Sequence, residues 1–573
     1  MQALTNRIMP EWRYSSFLLL VAAVFAVFYQ VCSHDFLAMD DEYNIYLNSQ
    51  VINFNITNLV NFWKEPYGAM YIPVTYDMWS IQAKISSLYS TVNETGFYPI
   101  IFHTSNLLLH LANSFIVLLI LRILLKNQRA ALAGALVFAL HPVQAEPVAW
   151  VTGFKDVLSG FWSLMAIWQY ILYTRTASPG RSLIPYALAT ISFLLAILSK
   201  PGAVTLPLVV CAIAYLPLNR NVRQLAKELI PWVIAVIPVI LVTKLYQPDI
   251  ELPFIPDFWQ RFLVAGDALS FYIYKITLPL SLCPDYGRSP QLVLDHSWMM
   301  YLTGLAPYLI IFLLVWKKPE PGLTIAWIII GALLPVLGFI PFSFQEISTV
   351  ADRYLYVAIL GAAYGVGWLL DRYNTRAAWI IFVAIMTLMG LKTSSQASYW
   401  RDHLTIYRHT VDVNPQSWIY IHNQGVEEHK RHHPSIAIKL YAESLKINPN
   451  YVTARENLEK AVQYVAMTIP EAAFSGDSEN IDTDIADHAG GYYKLGRLCQ
   501  EVNAQKEALI LYQKALEANH AYARAYLGIG EIFTQIDMKE KAVEAYRKAL
   551  ETDPTLVEAQ KNLALLGTES GHD

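Results

Sequence analysis

Residues 14–48 read YSSFLLLVAAVFAVFYQVCSHDFLAMDDEYNIYLN. The first half, Tyr14 to Val31, is an apolar run of the length that crosses a bilayer as a helix, roughly 20 residues. Ser33-His34-Asp35 after it makes a poor cleavage site, so the run reads as a retained first span and not as a leader. The second half turns polar and sets three carboxylates in a row, Asp40, Asp41 and Glu42, directly beyond the membrane.

The same alternation of apolar runs and short polar pieces continues to about residue 395. Over all 573 residues, 55% are hydrophobic and only 15% charged, against about 25% charged in soluble domains. Disorder and a soluble enzyme are both excluded. A net charge of −4 leaves no basic surplus for a nucleic-acid partner. The four cysteines, Cys32, Cys211, Cys283 and Cys499, have neither metal-type spacing nor the density of a disulfide scaffold.

The runs 14–31, 103–125, 129–149, 156–173, 183–199, 201–218, 228–245, 298–316, 323–342, 354–370 and 377–394 read as spans, eleven in all. Lys and Arg gather in cytoplasmic loops. Here they gather in every second loop: Arg7 and Arg13; Arg122, Lys126 and Arg129; Arg175 and Arg181; Arg220, Arg223 and Lys227; Lys317 and Lys318; Arg372 and Arg376. That alternation places the amino terminus inside and everything after Lys392 outside. Residues 263–282 break it, and with Asp267 and Lys275 they read as an interfacial or re-entrant helix.

Beyond residue 397 the chain repeats with the 34-residue period of a tetratricopeptide unit. Gly425, Ala437, Tyr441 and Pro449 mark a unit at 418–451. Gly496, Ala508, Tyr512 and Ala515 mark one at 489–522, and Tyr526, Gly530, Ala542, Tyr546, Ala549 and Pro554 one at 523–556. Small residues let paired helices approach, the tyrosine fills the gap, and proline ends the second helix. The stretch 452–488, with its polar SGDSENIDTD, reads as an eroded repeat, and 555–567 as a capping helix. The expected fold is therefore all-α: a polytopic helical bundle over 1–397, then a soluble repeat solenoid over 398–573. The solenoid offers a surface for a protein or peptide partner.

Ionisable groups near a bilayer are costly and point to function. They collect on the expected outer side. The loop 32–102 carries the acidic triplet, and His103, Asn106 and His110 share one helical face. His141 and Glu146 end the third span, Lys155 and Asp156 open the fourth, Lys200 sits between the fifth and sixth, and Asp352 and Arg353 precede the tenth. Taken singly, Lys155–Asp156 and Asp352–Arg353 could be local pairs. Together, three cations against the positive-inside trend suggest an anionic ligand at the membrane surface such as a lipid phosphate. No metal cluster is evident, although Asp40, Asp41 and Glu42 could bind a divalent cation.

DDEYNIYLN at 40–48, FHTSNLLLHLANS at 102–114, HPVQAEPVAWVTGFKDVLSGFWSLMA at 141–166, LSKPGAVTLP at 198–207 and ADRYLY at 351–356 occur in that order, followed by the repeats. This series resembles the GT-C class of membrane glycosyltransferases, and more closely the transmembrane, tetratricopeptide-repeat O-mannosyltransferases and their bacterial relatives. The resemblance implies transfer of a sugar, mannose among the candidates, from a polyprenyl-phosphate donor to a hydroxyl acceptor such as protein Ser or Thr. It implies Asp40 as base with Asp41 orienting it or binding the acceptor, and inversion in one displacement. Lys155, Lys200 and Arg353, with His103 and His141 as hydrogen-bond donors, would hold the leaving lipid phosphate; Glu42, Glu146, Asp156 and Asp352 complete the pocket. The alternatives are a non-enzymatic membrane scaffold and a lipid-linked glycan ligase or transporter. The compact length suggests a bacterial cytoplasmic membrane with periplasmic repeats, and an endoplasmic-reticulum membrane with luminal repeats is the second expectation. Two sequons, at Asn55 and Asn93, fall in the first outer loop.

Overall fold

The computed structural model describes residues 13–68, 70–89, 96–175, 183–246, 252, 254–295, 297–318, 320–468 and 488–569. Arg7, Arg181, the sequon at Asn93 and SGDSENIDTD lie outside the described residues. Among the described residues there is no strand, only one isolated bridge between Tyr67 and Met70. The chain divides into two compact units, Met1–Ile406 and Tyr407–Asp573. The first unit runs past the 397/398 boundary read from composition. The polar segment after the last long helix is tied back to the first loop: the Asp35 N–H donates to the Arg401 carbonyl at 3.0 Å and the Ala38 N–H to His403 Nδ1 at 2.6 Å.

Four helices are by themselves long and apolar enough to cross a membrane: Ser15–Ser33, Pro99–Leu124, Val222–Thr243 and Arg376–Ser398. Gln128–Leu140 and Pro142–Ala149 make a fifth if taken together, with a bend of 48°. Leu183–Ser199, Pro201–Tyr215, Tyr301–Lys317 and Glu320–Val336 are shorter apolar helices. Phe154–Arg175 and Ile359–Arg372 fill the other expected positions. Each expected run is thus helical over most of its length, and the chain is a multi-pass membrane protein. Some of these helices are shorter than their apolar runs: Leu206–Tyr215 stops ahead of Pro217 and Glu320–Leu333 ahead of Pro335.

The breaks have a cost that the neighbouring helix meets. Pro142 and Pro147 have no N–H to offer, so carbonyls around them lose their helical partners. His110 Nε2 lies 3.0 Å from the Ala139 carbonyl, and Asn106 Nδ2 donates to the Trp150 carbonyl at 2.7 Å. Asn113 Nδ2 reaches the Val157 carbonyl at 2.9 Å, and Thr393 donates to that of Leu140 at 2.6 Å. Irregular backbone at membrane depth is tolerated where protein groups satisfy it in this way. Much of the polar face on Pro99–Leu124 therefore supports the backbone.

Phe258–Thr277 is one continuous helix. Asp267 accepts from Arg288 Nε at 3.1 Å and from Thr303 at 2.8 Å. Lys275 Nζ donates to the Leu280 and Ser281 carbonyls at 2.6 and 3.0 Å. The two charges that made this stretch a poor span by sequence are both buried and satisfied.

In the second unit, helix pairs follow the expected register: Trp418–Lys430 with Pro434–Ile447, His488–Glu501 with Gln505–Ala518, and Ala523–Gln535 with Lys539–Thr552. A Cβ added at Gly425 would stand 2.7 Å from the Tyr441 ring, at Gly496 2.6 Å from Tyr512, and at Gly530 2.5 Å from Tyr546. Each unit repeats one close approach. Val452–Met467 occupies the eroded stretch and Val557–Glu569 the capping position.

Candidate active site

The acidic triplet folds as a short turn leading into a single π-helical turn, Glu42–Tyr46. Its geometry separates three carboxylates that look alike in sequence. Asp41 is fully buried, with the Leu37 N–H donating to Oδ2 and the Thr152 N–H to Oδ1, both at 2.9 Å. It fastens the loop to the turn before Phe154–Arg175. Burial pushes its pKa up to about 7, against these two backbone bonds. Asp40 points the other way, 47% of its side chain exposed, and receives Lys155 Nζ at 2.9 Å. Burial of the loop works to raise the Asp40 pKa, but Lys155, with Arg353 and Lys200 beyond it, overrides that and holds it below the ordinary carboxylate range. Glu42 is half-buried.

The cations all have carboxylate partners, none of them the adjacent residue. Lys155 pairs with Asp40, Lys200 with Asp156, and Arg353 Nη1 with Glu146 at 2.6 Å. The Arg353 N–H also donates to Glu146 at 3.0 Å, so one carboxylate fixes both the backbone and the side chain of that residue. Burial pulls the Lys200 ammonium below its ordinary range, against the attraction of Asp156. Lys155 and Asp156 open the same helix, Phe154–Arg175, which rests on Pro147 so closely that a Cβ at Gly153 would stand 2.5 Å from its carbonyl oxygen. That contact aims two consecutive side chains at two different carboxylate–cation pairs.

A cavity of about 580 Å³, including the open space at its entrance, adjoins them. Asp156, Lys200, Arg353 and Tyr354 line it together with Ser159 and Ser163. Most of the rest of its wall is small or apolar, including Gly202, Leu206, Val209, Pro335 and Val336, with Thr205 and Tyr356 beside them. An added Cβ at Gly202 would meet nothing within 4 Å, so the backbone there faces open space.

A tetratricopeptide-repeat model matches residues 523–556. The human protein O-mannosyl-transferase TMTC3 is 23% identical over 416 residues, 65% of this chain and 45% of the human one. A Caenorhabditis elegans protein O-mannosyl-transferase is 22% identical over 333 residues, 56% of this chain and 46% of that one. The human protein O-mannosyl-transferase TMTC1 is 24% identical over 425 residues, 64% of this chain and 47% of the relative. The chain resembles the protein O-mannosyl-transferases. It spans about half the length of these curated relatives. Among solved structures, the Archaeoglobus fulgidus oligosaccharyltransferase in the apo form aligns over 71% of this chain and 59% of that one, with 14% identity and a TM-score of 0.40.

The fold brings Asp40, Lys155, Asp156, Lys200, Glu146 and Arg353 into one cluster. His103 and His141 stand differently. His103 Nε2 lies 3.3 Å from the Asp35 carbonyl. His141 Nε2 lies 2.9 Å from the Ile276 carbonyl, and its Nδ1 accepts from the Val143 N–H at 3.4 Å. In this arrangement both ring nitrogens of His141 are taken by backbone, which leaves it no donor for a phosphate. Asp352 accepts from the Tyr286 hydroxyl at 2.9 and 2.8 Å, and burial, then Glu146, pushes its pKa up to about 8. Among the described residues, no group of three or more His, Cys, Asp or Glu side chains is placed to hold a metal ion.

Sequence reasoning passed over Tyr286 and Trp150. The Trp150 ring lies 5.6 Å from Lys155 Nζ and 5.8 Å from the Arg353 guanidinium, and stacks on Trp400 at 5.7 Å. A tryptophan a few residues before a lysine in a polar membrane segment was the available signal.

Proposed function

We propose that this chain is an integral membrane glycosyltransferase that moves a sugar from a polyprenyl-phosphate carrier to a hydroxyl acceptor, protein Ser or Thr, at the outer membrane face. The observation that carries this reading is the half-exposed Asp40 carboxylate on Lys155, one residue from Asp156 and a cavity lined by two cations and an apolar wall. A base must be ionised and able to reach the acceptor, and the half-exposed Asp40, held below the ordinary carboxylate range by Lys155, supports that role better than the enclosed Asp41. The relatives' named activity favours mannose as the sugar and protein as the acceptor.

The acceptor oxygen attacks the anomeric carbon while its proton passes to Asp40. The bond to the carrier phosphate breaks, the phosphate keeps the electron pair, and attack from the opposite face inverts the centre. Lys155, Lys200 and Arg353 stabilise the charge gained by the departing phosphate. Before the donor arrives, carboxylates neutralise these cations. A phosphate that draws Lys155 toward itself loosens its hold on Asp40 and makes Asp40 a stronger base at the moment it is needed. The apolar wall suits the isoprenoid chain, and the repeats suit recruitment of a protein acceptor.

The test is transfer from synthetic polyprenyl-phosphate mannose to a Ser/Thr peptide by the full chain in liposomes. Asp40→Asn is expected to lower the rate per folded molecule about 100-fold or more, with a lower thermal unfolding midpoint because Lys155 loses its carboxylate partner. A wild-type rate in that variant would remove Asp40 from the chemistry.

A further inference from the structure

Asp156 is 5% exposed, and its Oδ1 is engaged by Lys200. Its other oxygen, Oδ2, is buried without a hydrogen-bond partner. A carboxylate oxygen left without a donor costs more than a neutral group in the same position, and the residue that carries it lines the cavity. The surroundings say what would satisfy it. A phosphate is repelled by a carboxylate, and an isoprenoid chain has no donor. A hydroxyl group has one. Ser159 and Ser163 follow Asp156 at i+3 and i+7 along the helix Phe154–Arg175, which extends the polar stripe down the same wall of the cavity. The Ser159 hydroxyl itself donates to the Ala196 carbonyl at 3.1 Å, so it does not fill the vacant acceptor.

We propose that Asp156 is the residue that selects the donor sugar, its Oδ2 accepting a hydrogen bond from one hydroxyl of the transferred ring while Lys200 holds Oδ1. This rests on the lipid-linked donor reading above and adds to it the group that reads the sugar. A site built to accept from a hydroxyl rejects the analogue lacking it far more strongly than an apolar pocket rejects a size change. Asparagine has the same shape, but with its oxygen toward Lys200 it presents an N–H₂ donor where the acceptor stood.

The experiment uses the full chain in liposomes with polyprenyl-phosphate mannose and its set of monodeoxy analogues. It also measures binding of polyprenyl phosphate carrying no sugar. Wild type is expected to discriminate against one deoxy analogue by about 100-fold or more in kcat/KM. In Asp156→Asn that ratio is expected to fall to within about threefold, the loss falling on the parent donor. The ratio is taken within one protein, so a lower folded fraction does not move it, and carrier-phosphate binding at least as tight as in wild type, Lys200 having lost a competing carboxylate, shows the site intact. Full discrimination retained in Asp156→Asn, or none by wild type, overturns the assignment. If wild type fails to bind the bare carrier phosphate, the donor reading itself fails, and the inference falls with it.

Discussion

Two adjacent aspartates differ here in what they touch. Asp40 faces a lysine and partly faces solvent, while Asp41 is enclosed and holds two backbone amides. Asp41→Asn puts an N–H₂ group against one of those amides, at a cost of about 1–3 kcal/mol, readable as a lower thermal unfolding midpoint. The same residue makes stability depend on pH. Folding raises its pKa from 3.8 to about 7, so between those values the folded protein keeps a proton that the unfolded chain has released. Its contribution is greatest below about pH 4 and declines as the pH rises toward 7. The midpoint difference between wild type and Asp41→Asn should therefore shrink over that range, and a constant difference would mean Asp41 is ionised throughout. At Glu146, whose two oxygens hold the side chain and the N–H of Arg353, neutralisation to Gln leaves a buried guanidinium short of its partner. The expected loss is about 3–5 kcal/mol, measured by unfolding of the purified variant. The sequence marked all of these positions as polar at one membrane face. It left pairing with the adjacent residue open for Lys155–Asp156 and Asp352–Arg353, whereas helix direction sends Lys155 and Asp156 to different carboxylate–cation pairs.

Whole helices were readable as apolar runs and their integrity was not. His141-Pro142 marked the end of a span, but the 48° bend and the short Pro142–Ala149 piece depend on Asn106 and His110 meeting the exposed carbonyls from another helix. Those side chains looked like ligand groups from their spacing alone. The repeats were more legible because their contacts are local: glycine and tyrosine sixteen positions apart meet wherever two helices pair through a short turn. Gly530→Ala places a methyl group 2.5 Å from the Tyr546 ring, an overpacking expected to cost about 1–3 kcal/mol. Hydrogen exchange over Ala523–Gln535 and Lys539–Thr552 should show faster opening in the variant, and unchanged protection there would mean the ring moves aside freely.

For the whole molecule, the two compact units suggest separable tasks. If the repeats recruit acceptor, a chain ending at Ile406 should transfer sugar to a short peptide at close to the full-length rate and modify a folded protein acceptor at least tenfold more slowly. Equal modification of the protein acceptor by both forms would leave the repeats without that role. The sequence by itself determined the membrane class, the helical repeats and the set of charged residues available for chemistry, because hydrophobic length, 34-residue periodicity and the cost of charge near lipid are properties of the chain. Only the tertiary structure decided which aspartate stands open, which cation each carboxylate holds, and which polar residues serve the backbone. Those outcomes depend on long-range approach between helices and loops more than a hundred residues apart, such as Asp40 to Lys155, and no local pattern encodes them.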